Sequence, residues 1–558
     1  MNKIMKKFLN YFFASSFLLT SMSGCGVPST ESPSAVTTNS ATAAVTEPSD
    51  PSETPLVSRF DDGDFLVTEG TNFVTKDGKR VILQGFNLGG WLCHTVYMTP
   101  FSGDGVVDDT TLYAKLEERF GKERAGELLQ TYFESNMTPY DFDLIAQTGA
   151  NSVRLPFWWR NFMNEDGSFI TDENGNPDFS LLDYAVEQCA ARGIYVILEL
   201  HGAPGSQNGM HASGLETENP TFFARNEEGE RNRALTTKLW VEIAKHFKGN
   251  PAVAGLDLLG EPYWTGTILT DNRWWIWTYY NECYKAIREV DADRIVILES
   301  SWNAYDLPDP KLITEWKDVE WKYVAYSPHY YPNKNATTPE QVKQKFDERF
   351  QRDMAAINEW GVPLYIGETN WHTDWNMWDY ALGTFVQEWV SYSVWAYKCP
   401  LDATTIWGVV WQGDVTKPDL NFMLYKEISN VWKLRSDECM TLNEKGIRMC
   451  CRHMGGDVEA FGFDPDEDPF AEVAASQVSL NKKTLTMKVG ESVQLIATLS
   501  PENVEDQRLI WVSSNSNIVR VDSNGKVTAV AAGGPVYIAV KWAGNEAVKA
   551  SVAITVEP

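Results

Sequence analysis

Val253-Ala-Gly-Leu-Asp-Leu-Leu-Gly-Glu261-Pro262 reads as a buried strand that ends in a carboxylate, and Pro363-Leu-Tyr-Ile-Gly-Glu368-Thr-Asn370 repeats the arrangement further along the chain. Desolvating a carboxylate at the end of an apolar run is costly, so a fold rarely places one there for packing alone. A capping or salt-bridged surface glutamate is the plain alternative for either position, because structural ion pairs are also common. Two such strand ends in one chain fit a division of labour between an acid/base and a nucleophile.

Working outward, the same texture recurs in the runs 81–87, 151–157, 195–201, 253–259, 295–300, 324–329, 364–368 and 406–411. They are continuous Val/Ile/Leu-rich stretches rather than alternating ones, as expected of parallel strands buried on both faces. Helical patterns over 181–192, 232–247, 274–290, 339–360 and 379–397 separate several of them. Alternating strands and helices of this number close best as an α/β (β/α)8 TIM barrel, with a doubly wound open sheet as the competing arrangement. The barrel is preferred because polar residues gather at the C-terminal ends of the strands, where barrel sites form.

Those ends supply Arg154 after the second run, and His201 with Asn208 after the third. Glu261 follows the fourth, His329 and Tyr331 the sixth, Glu368 the seventh and Trp411 the eighth. Two carboxylates with an Arg, two His, a Tyr and a Trp on one rim suit acetal cleavage. One carboxylic acid protonates the departing oxygen, and the other carboxylate attacks the anomeric carbon or activates water. An Arg and a Tyr hydroxyl beside the attacking group favour its ionised form. Each residue has a plainer alternative: a lone His is more often a satisfied core histidine, and Asn208 in a Gly-rich loop serves a turn as readily as a ligand. His94, His211 and His372 fall in loops near strand ends and are either cleft-lining or solvated. Glu199 shares a strand face with His201 and is read as bonding within the barrel top, outside the catalytic set. Trp158, Trp159, Trp264, Trp302 and Trp371 follow strand ends and are the candidate sugar platforms; Trp274, Trp275 and Trp277 lie in a helical pattern and are read as packing.

The 558 residues exceed one ordinary domain. With 43% hydrophobic and 13% aromatic residues the chain can bury a large core, and a net charge of -28 argues against nucleic acid and anionic membrane surfaces as partners. Residues 1–25 read as a signal peptide: Lys3, Lys6 and Lys7 precede an apolar stretch too short to span a bilayer, then Met22-Ser-Gly-Cys25. The box resembles a lipoprotein cleavage site with Met22 where Leu is usual, making Cys25 the lipid-attachment candidate and that anchor the expected membrane contact; ordinary signal cleavage and an uncleaved anchor also export the chain. Residues 26–58, rich in Ser, Thr and Pro, form a disordered tether. Residues 59–470 form the barrel, and 474–558, with short alternating strands between Gly and Asn turns, form a small immunoglobulin-like sandwich. Of eight cysteines, most read as buried apolar fillers, with Cys439–Cys450 as a candidate bridge.

Gln84-Gly-Phe-Asn-Leu-Gly-Gly-Trp91, Val153-Arg-Leu-Pro-Phe157, Leu200-His-Gly-Ala-Pro-Gly-Ser-Gln-Asn-Gly209, Glu261-Pro262, His329-Tyr-Tyr331 and Ile366-Gly-Glu368 together resemble glycoside hydrolase family 5. The first and third segments look most like its exo-1,3-β-glucanase and β-glucosidase branch. The resemblance implies a retaining hydrolase of β-linked glycans without cofactor or metal. Glu261 would be the acid/base and Glu368 the nucleophile supported by Arg154 and Tyr331. His201 and His329 would contact substrate and the acid/base, and Trp411 would floor the cleaved-sugar subsite. One departure stands out: Gly260 occupies the position where the family usually has an Asn that bonds the sugar 2-hydroxyl. The substrate then carries a different 2-position, or another residue replaces the donor, or the protein is a weakly active or inactive glycan binder. A gain of activity in Gly260→Asn would mark simple loss of a contact. The C-terminal segment, with Val489-Gly-Glu-Ser492, Ile510-Trp-Val-Ser-Ser514 and Gly525-Lys-Val-Thr-Ala529, resembles a bacterial immunoglobulin-like domain of group 2, a type that usually serves as spacer or attachment module.

Overall fold

The computed structural model describes residues 56–558 apart from 96–97, 99–102, 104, 264–272, 302–320, 401–407, 413–416, 434–439, 468–469, 471–474, 502–503, 505–506 and 544. The signal segment with Cys25, most of the tether, Trp264, Trp302 and Cys439 lie outside the described residues.

Eight parallel strands form the barrel. They are β1 (Gln84–Asn87), β2 (Ser152–Trp158), β3 (Tyr195–Gly202), β4 (Val253–Asp257), β5 (Ile295–Glu299), β6 (Val324–Ser327, continued by His329–Tyr330), β7 (Tyr365–Thr369) and β8 (Ser391–Val394). Neighbours pair in chain order from β1 to β6. The ring then shuts through β6–β7, where His329 pairs with Glu368 and Tyr326 bridges Leu364, and through β7–β8 and β8–β1. Closure removes every edge, and Pro156 near the end of β2 is the one proline within these strands.

The eighth strand corrects the sequence reading. Residues 406–411 do not close the barrel: Val410–Gln412 belongs to a separate three-stranded sheet with Lys398–Pro400 and Met440–Leu442. The strand β8 was hidden inside the expected helix over 379–397. The helix spans Trp375–Gln387 and stops where Trp389 adopts a left-handed backbone (φ 57°), after which Ser391-Tyr-Ser-Val394 extends. Serines alternating with Tyr392 and Val394 lack the continuous apolar signature of a barrel strand because Ser391 and Ser393 point to polar partners: Ser391 Oγ accepts the Leu83 N–H, and Ser393 pairs with the Tyr365 hydroxyl. The first strand is also shorter than expected. Arg80–Val81 joins an antiparallel sheet with Leu66–Glu69 and Asn72–Thr75.

Successive side chains on a strand point to opposite faces, so each strand feeds two cores. The outward set packs under the helices around Leu155, Phe157, Trp240, Ile243, Leu256 and Leu298. The inward set begins with Tyr195, Ile197, Ala254, Ile295, Ile297, Ala325 and Tyr365, covered at the N-terminal end by Leu66, Phe73 and Leu83. Above that apolar floor the inward positions turn polar, and this is what places a charged site at the C-terminal mouth.

The C-terminal strands, from Gln477–Leu480 to Asn545–Glu557, form an all-β immunoglobulin-like domain around Met487, Leu495, Val527, Ile538, Val552 and Ile554. Buried residues recur at every second position from Val536 to Trp542, as the period-2 sequence predicts. The six cysteines among the described residues are buried and unbridged to one another.

Candidate active site

Glu261 follows β4 and Glu368 lies within β7; one oxygen of each and Nδ1 or Nε2 of His329 all lie within 4.8 Å of one another. So close an approach of the two carboxylates sits with retaining pairs, whose carboxyl groups are about 5–5.5 Å apart, and well short of the roughly 6.5–9.5 Å that inversion requires. The spread of the three groups would also admit a cation. Their lone pairs are engaged already: Glu368 by Arg154 and Tyr331, and Glu261 by His329. The arrangement is therefore read as an acid–base set.

Glu368 is 3% exposed. The Tyr331 hydroxyl donates to its Oε2 at 2.6 Å, and Arg154 Nη1 donates to its Oε1 at 3.1 Å. Burial raises its pKa, His329 and Arg154 pull it down and Glu261 pushes it up, with a net rise. Glu261 is more open and sits in a left-handed turn, φ 45°. Its backbone N–H donates to Glu299 Oε2 at 2.7 Å, and its carbonyl accepts from Asn208 Nδ2 at 3.2 Å. Asn208 Oδ1 also accepts the Met210 N–H, so this residue both makes the turn and braces the Glu261 loop. Gln207 is a second brace that the sequence reading passed over: its amide donates to the carbonyls of His201 and Gly260 at 2.6 and 2.8 Å.

Arg154, fully buried, is the hub. Its Nε donates to Asp257 at 2.9 Å and its Nη1 to Asn87 Oδ1 at 2.9 Å; Nη2 bonds Glu299 and lies 3.4 Å from Glu199. One guanidinium thus serves four carboxylates, a use of its planar fork that a lysine could not match. Burial works against its charge, but Glu199, Asp257, Glu299 and Glu368 outweigh burial and hold it protonated. Asp257 is pushed well up, first by burial and then by Glu299. Burial also raises Glu299, yet His329 and Arg154 prevail and leave it at about 2.

Both site histidines gain protons. Burial opposes this in His201, and Glu199, 3.1 Å from its Nδ1, reverses the balance to about 9. In His329 burial is again overcome, by Glu368 and Glu299; its Nδ1 lies 2.9 Å from Glu261 Oε1 and 3.3 Å from Glu368 Oε2. His201 stacks on Trp395 at the end of β8, with centroids 5.8 Å apart and planes at 23°.

Trp395 occupies the strand-eight position that the sequence reading assigned to Trp411. Trp411 lies in the separate sheet, and its side chain is outside the described residues. Three of the expected platforms are core residues: Trp158 packs on Tyr113, Trp371 on Phe346, and Trp159 is also buried. Trp277 packs on Tyr280 and Trp360, as its helical setting implied. His94 is buried, 2.5 Å from Asp109 and flanked by Tyr132 and Phe133, and belongs to the core. His211 and His372 are partly buried, with burial lowering both pKa values.

The Gly260 position is filled from elsewhere. A Cβ there would stand 2.1 Å from Glu199 Oε1 and 2.8 Å from His201 Nδ1. Glu199, Asp257, Glu299 and Asn87 are the site residues that sequence reasoning missed or set aside. The signal was available for three of them, since each is a carboxylate inside an otherwise apolar run, the same anomaly that singled out Glu261.

Comparison with known proteins adds a second line. Residues 120–399 match the family described as cellulase (glycosyl hydrolase family 5), and residues 474–552 match the bacterial Ig-like domain (group 2). The chain is 31% identical over 316 residues to a β-xylosidase of Phanerodontia chrysosporium, covering 54% of this chain and 61% of that one. It is 29% identical over 310 residues to a glucan 1,3-β-glucosidase of Lachancea kluyveri, covering 53% and 64%. It thus spans less than two thirds of the length of either relative. Among solved structures it is similar to a rutinosidase from Aspergillus niger, with 17% identity, a TM-score of 0.47, and coverage of 62% of this chain and 94% of that one. With the family model spanning half of its residues, and a parallel barrel carrying paired glutamates at its mouth, the chain belongs to glycosyl hydrolase family 5.

Proposed function

We propose that the protein is a retaining β-glycosidase that hydrolyses β-glucan-type polysaccharides or oligosaccharides by double displacement. One observation carries the reading: carboxylate oxygens of Glu261 and Glu368 within 4.8 Å of each other, on one barrel mouth. Glu368 attacks the anomeric carbon as the bond to the leaving oxygen breaks, and Glu261 gives that oxygen its proton. Glu261 then takes a proton from water, whose oxygen displaces Glu368 and regenerates the free carboxylate. Arg154 and Tyr331 aim Glu368 and favour its ionised form against the rise that burial imposes, and His201 and Trp395 line the same mouth. No cofactor is required. A β-linked glycan substrate accords with the names of both relatives, a β-xylosidase and a glucan 1,3-β-glucosidase.

The segments 1–25 and 26–58 then act as export signal and tether, with Cys25 as the lipid-attachment site and 59–470 as the catalytic unit held off the surface. The test is hydrolysis of laminarin, cello-oligosaccharides, mannan and xyloglucan, with the first-formed anomer followed by proton NMR. The expected outcome is a β-anomer from at least one substrate, abolished in Glu368→Gln. Release of the α-anomer first, or hydrolysis that survives Glu368→Gln, would refute the mechanism.

A further inference from the structure

Glu299 ends β5, is 1% exposed, and touches three other members of the site at once. Its Oε1 accepts from Arg154 Nη2. Its Oε2 accepts the Glu261 N–H at 2.7 Å and faces His329 Nε2 at 3.4 Å. That Nε2 is buried without a well-aligned hydrogen bond, so the Glu299 carboxylate acts on it as a nearby charge rather than as a directional acceptor. The other ring nitrogen, Nδ1, is 2.9 Å from Glu261 Oε1 and 3.3 Å from Glu368 Oε2. The remaining groups around the ring are Arg154, which serves both Glu299 and Glu368, and Tyr331, whose hydroxyl is committed to Glu368.

We propose that Glu299 is a positioning residue that keeps the proton on His329 Nε2 and so makes Nδ1 the atom that exchanges a proton with Glu261. Which imidazole nitrogen is protonated is set by what the other one faces. With a permanent anion at Nε2, one proton lies between Nδ1 and Glu261 Oε1, as a carboxylic acid donating to a neutral ring or as an imidazolium donating to a carboxylate. The balance is closed. The proton leaves Glu261 with the departing oxygen and is replaced on Glu261 from the attacking water, while the Nε2 proton never moves. The same carboxylate, through the Glu261 N–H, holds the left-handed turn that aims the acid. A low carboxyl pKa for Glu299, about 2, supports its being ionised throughout the working range; burial raises it, and His329 and Arg154 more than reverse that rise.

This inference rests on Glu261 being the acid/base of the proposed hydrolase, and two experiments keep the two claims apart. In Glu299→Gln the alkaline limb of kcat/KM, which reports the acid in the free enzyme, is expected to move down by about one pH unit or more. The Glu299→Asp variant is expected to restore part of that shift. A uniform loss of rate with an unmoved limb would overturn the proposal by reducing Glu299 to a structural support. Independently of turnover, long-range 1H–15N spectra of the histidine-labelled wild-type protein are expected to show His329 protonated at Nε2 across pH 5–9. A His329 protonated at Nδ1 alone would overturn it, even if Glu299→Gln fails to fold. A parent without activity on any β-glycan, but with Nε2 protonated, would refute the hydrolase reading and leave the Glu299 assignment standing.

Discussion

Restoring asparagine at position 260 should damage this protein rather than improve it. The backbone there lies outside the left-handed region, so the cost of Gly260→Asn is contact alone. A Cβ would stand 2.1 Å from Glu199 Oε1, roughly 1.4 Å inside the optimal separation of about 3.5 Å for non-bonded atoms. Glu199 cannot swing aside freely: it is fully buried, 3.4 Å from Arg154 and 3.1 Å from His201. Forcing extra atoms into such a site costs about 1–3 kcal/mol. Pulling the carboxylate off His201 forfeits a charged hydrogen bond worth about 1.5–3 kcal/mol. Together these give about 2.5–6 kcal/mol. For a barrel of about 400 residues, whose unfolding entropy scales at about 2.1 cal/mol/K per residue, that lowers Tm by about 3–7 °C.

Thermal unfolding of the parent, Gly260→Asn, Glu199→Ala and the double variant measures this, with kcat/KM on laminarin recorded alongside. The double variant should recover at least about 1 kcal/mol relative to the sum of the singles, because removing the Glu199 side chain frees the space that the introduced asparagine would need. A Gly260→Asn protein with unchanged Tm and higher activity would refute the reasoning: position 260 would then be an empty contact, not one filled by Glu199. The expectation that a gain in Gly260→Asn marks simple loss of a contact is therefore reversed by the packing, and replacement by another residue becomes the reading the structure favours.

Two further outcomes follow from the same cluster. Tyr331→Phe removes the 2.6 Å donor to Glu368 Oε2, so the carboxylate loses stabilisation of its charged form; the acid limb of kcat/KM should rise by about 1–2 pH units, at about 1.4 kcal/mol per unit, while KM changes little. The folded-state pKa of His201, about 9, exceeds the ordinary 6.5, because Glu199 outweighs the opposing burial. Its contribution to stability is thus complete below about pH 6.5 and is lost as pH rises towards 9, with an upper bound of about 3.4 kcal/mol. His201→Asn should flatten Tm against pH across that window, and an unchanged slope would disprove the assignment.

What the chain discloses before folding follows from how local each feature is. Six of the eight barrel strands, β2 to β7, could be read directly, because burial on both faces leaves a continuous apolar run. The immunoglobulin-like strands were legible through alternation. β8 was not, since Ser391 and Ser393 face a polar interior and the adjoining helical pattern absorbed them; the Trp at the mouth was consequently sought at 411 instead of 395. Arg154, His201, Glu261, His329, Tyr331 and Glu368 announce themselves as polar ends of apolar runs. What no run announces is that Arg154 gathers carboxylates from β3, β4, β5 and β7, because those contacts depend on which inward positions share a level once the ring has closed. Parity along a strand places Glu199 beside His201, but only the strand pairing that sets Glu199 opposite Asp257 brings Gly260 against it. The substitution at 260 is therefore unreadable by itself. A glycine after a buried strand looks like a lost side chain in the sequence, whereas in the barrel it is the space occupied by a glutamate from the neighbouring strand, and the two positions have to be changed together.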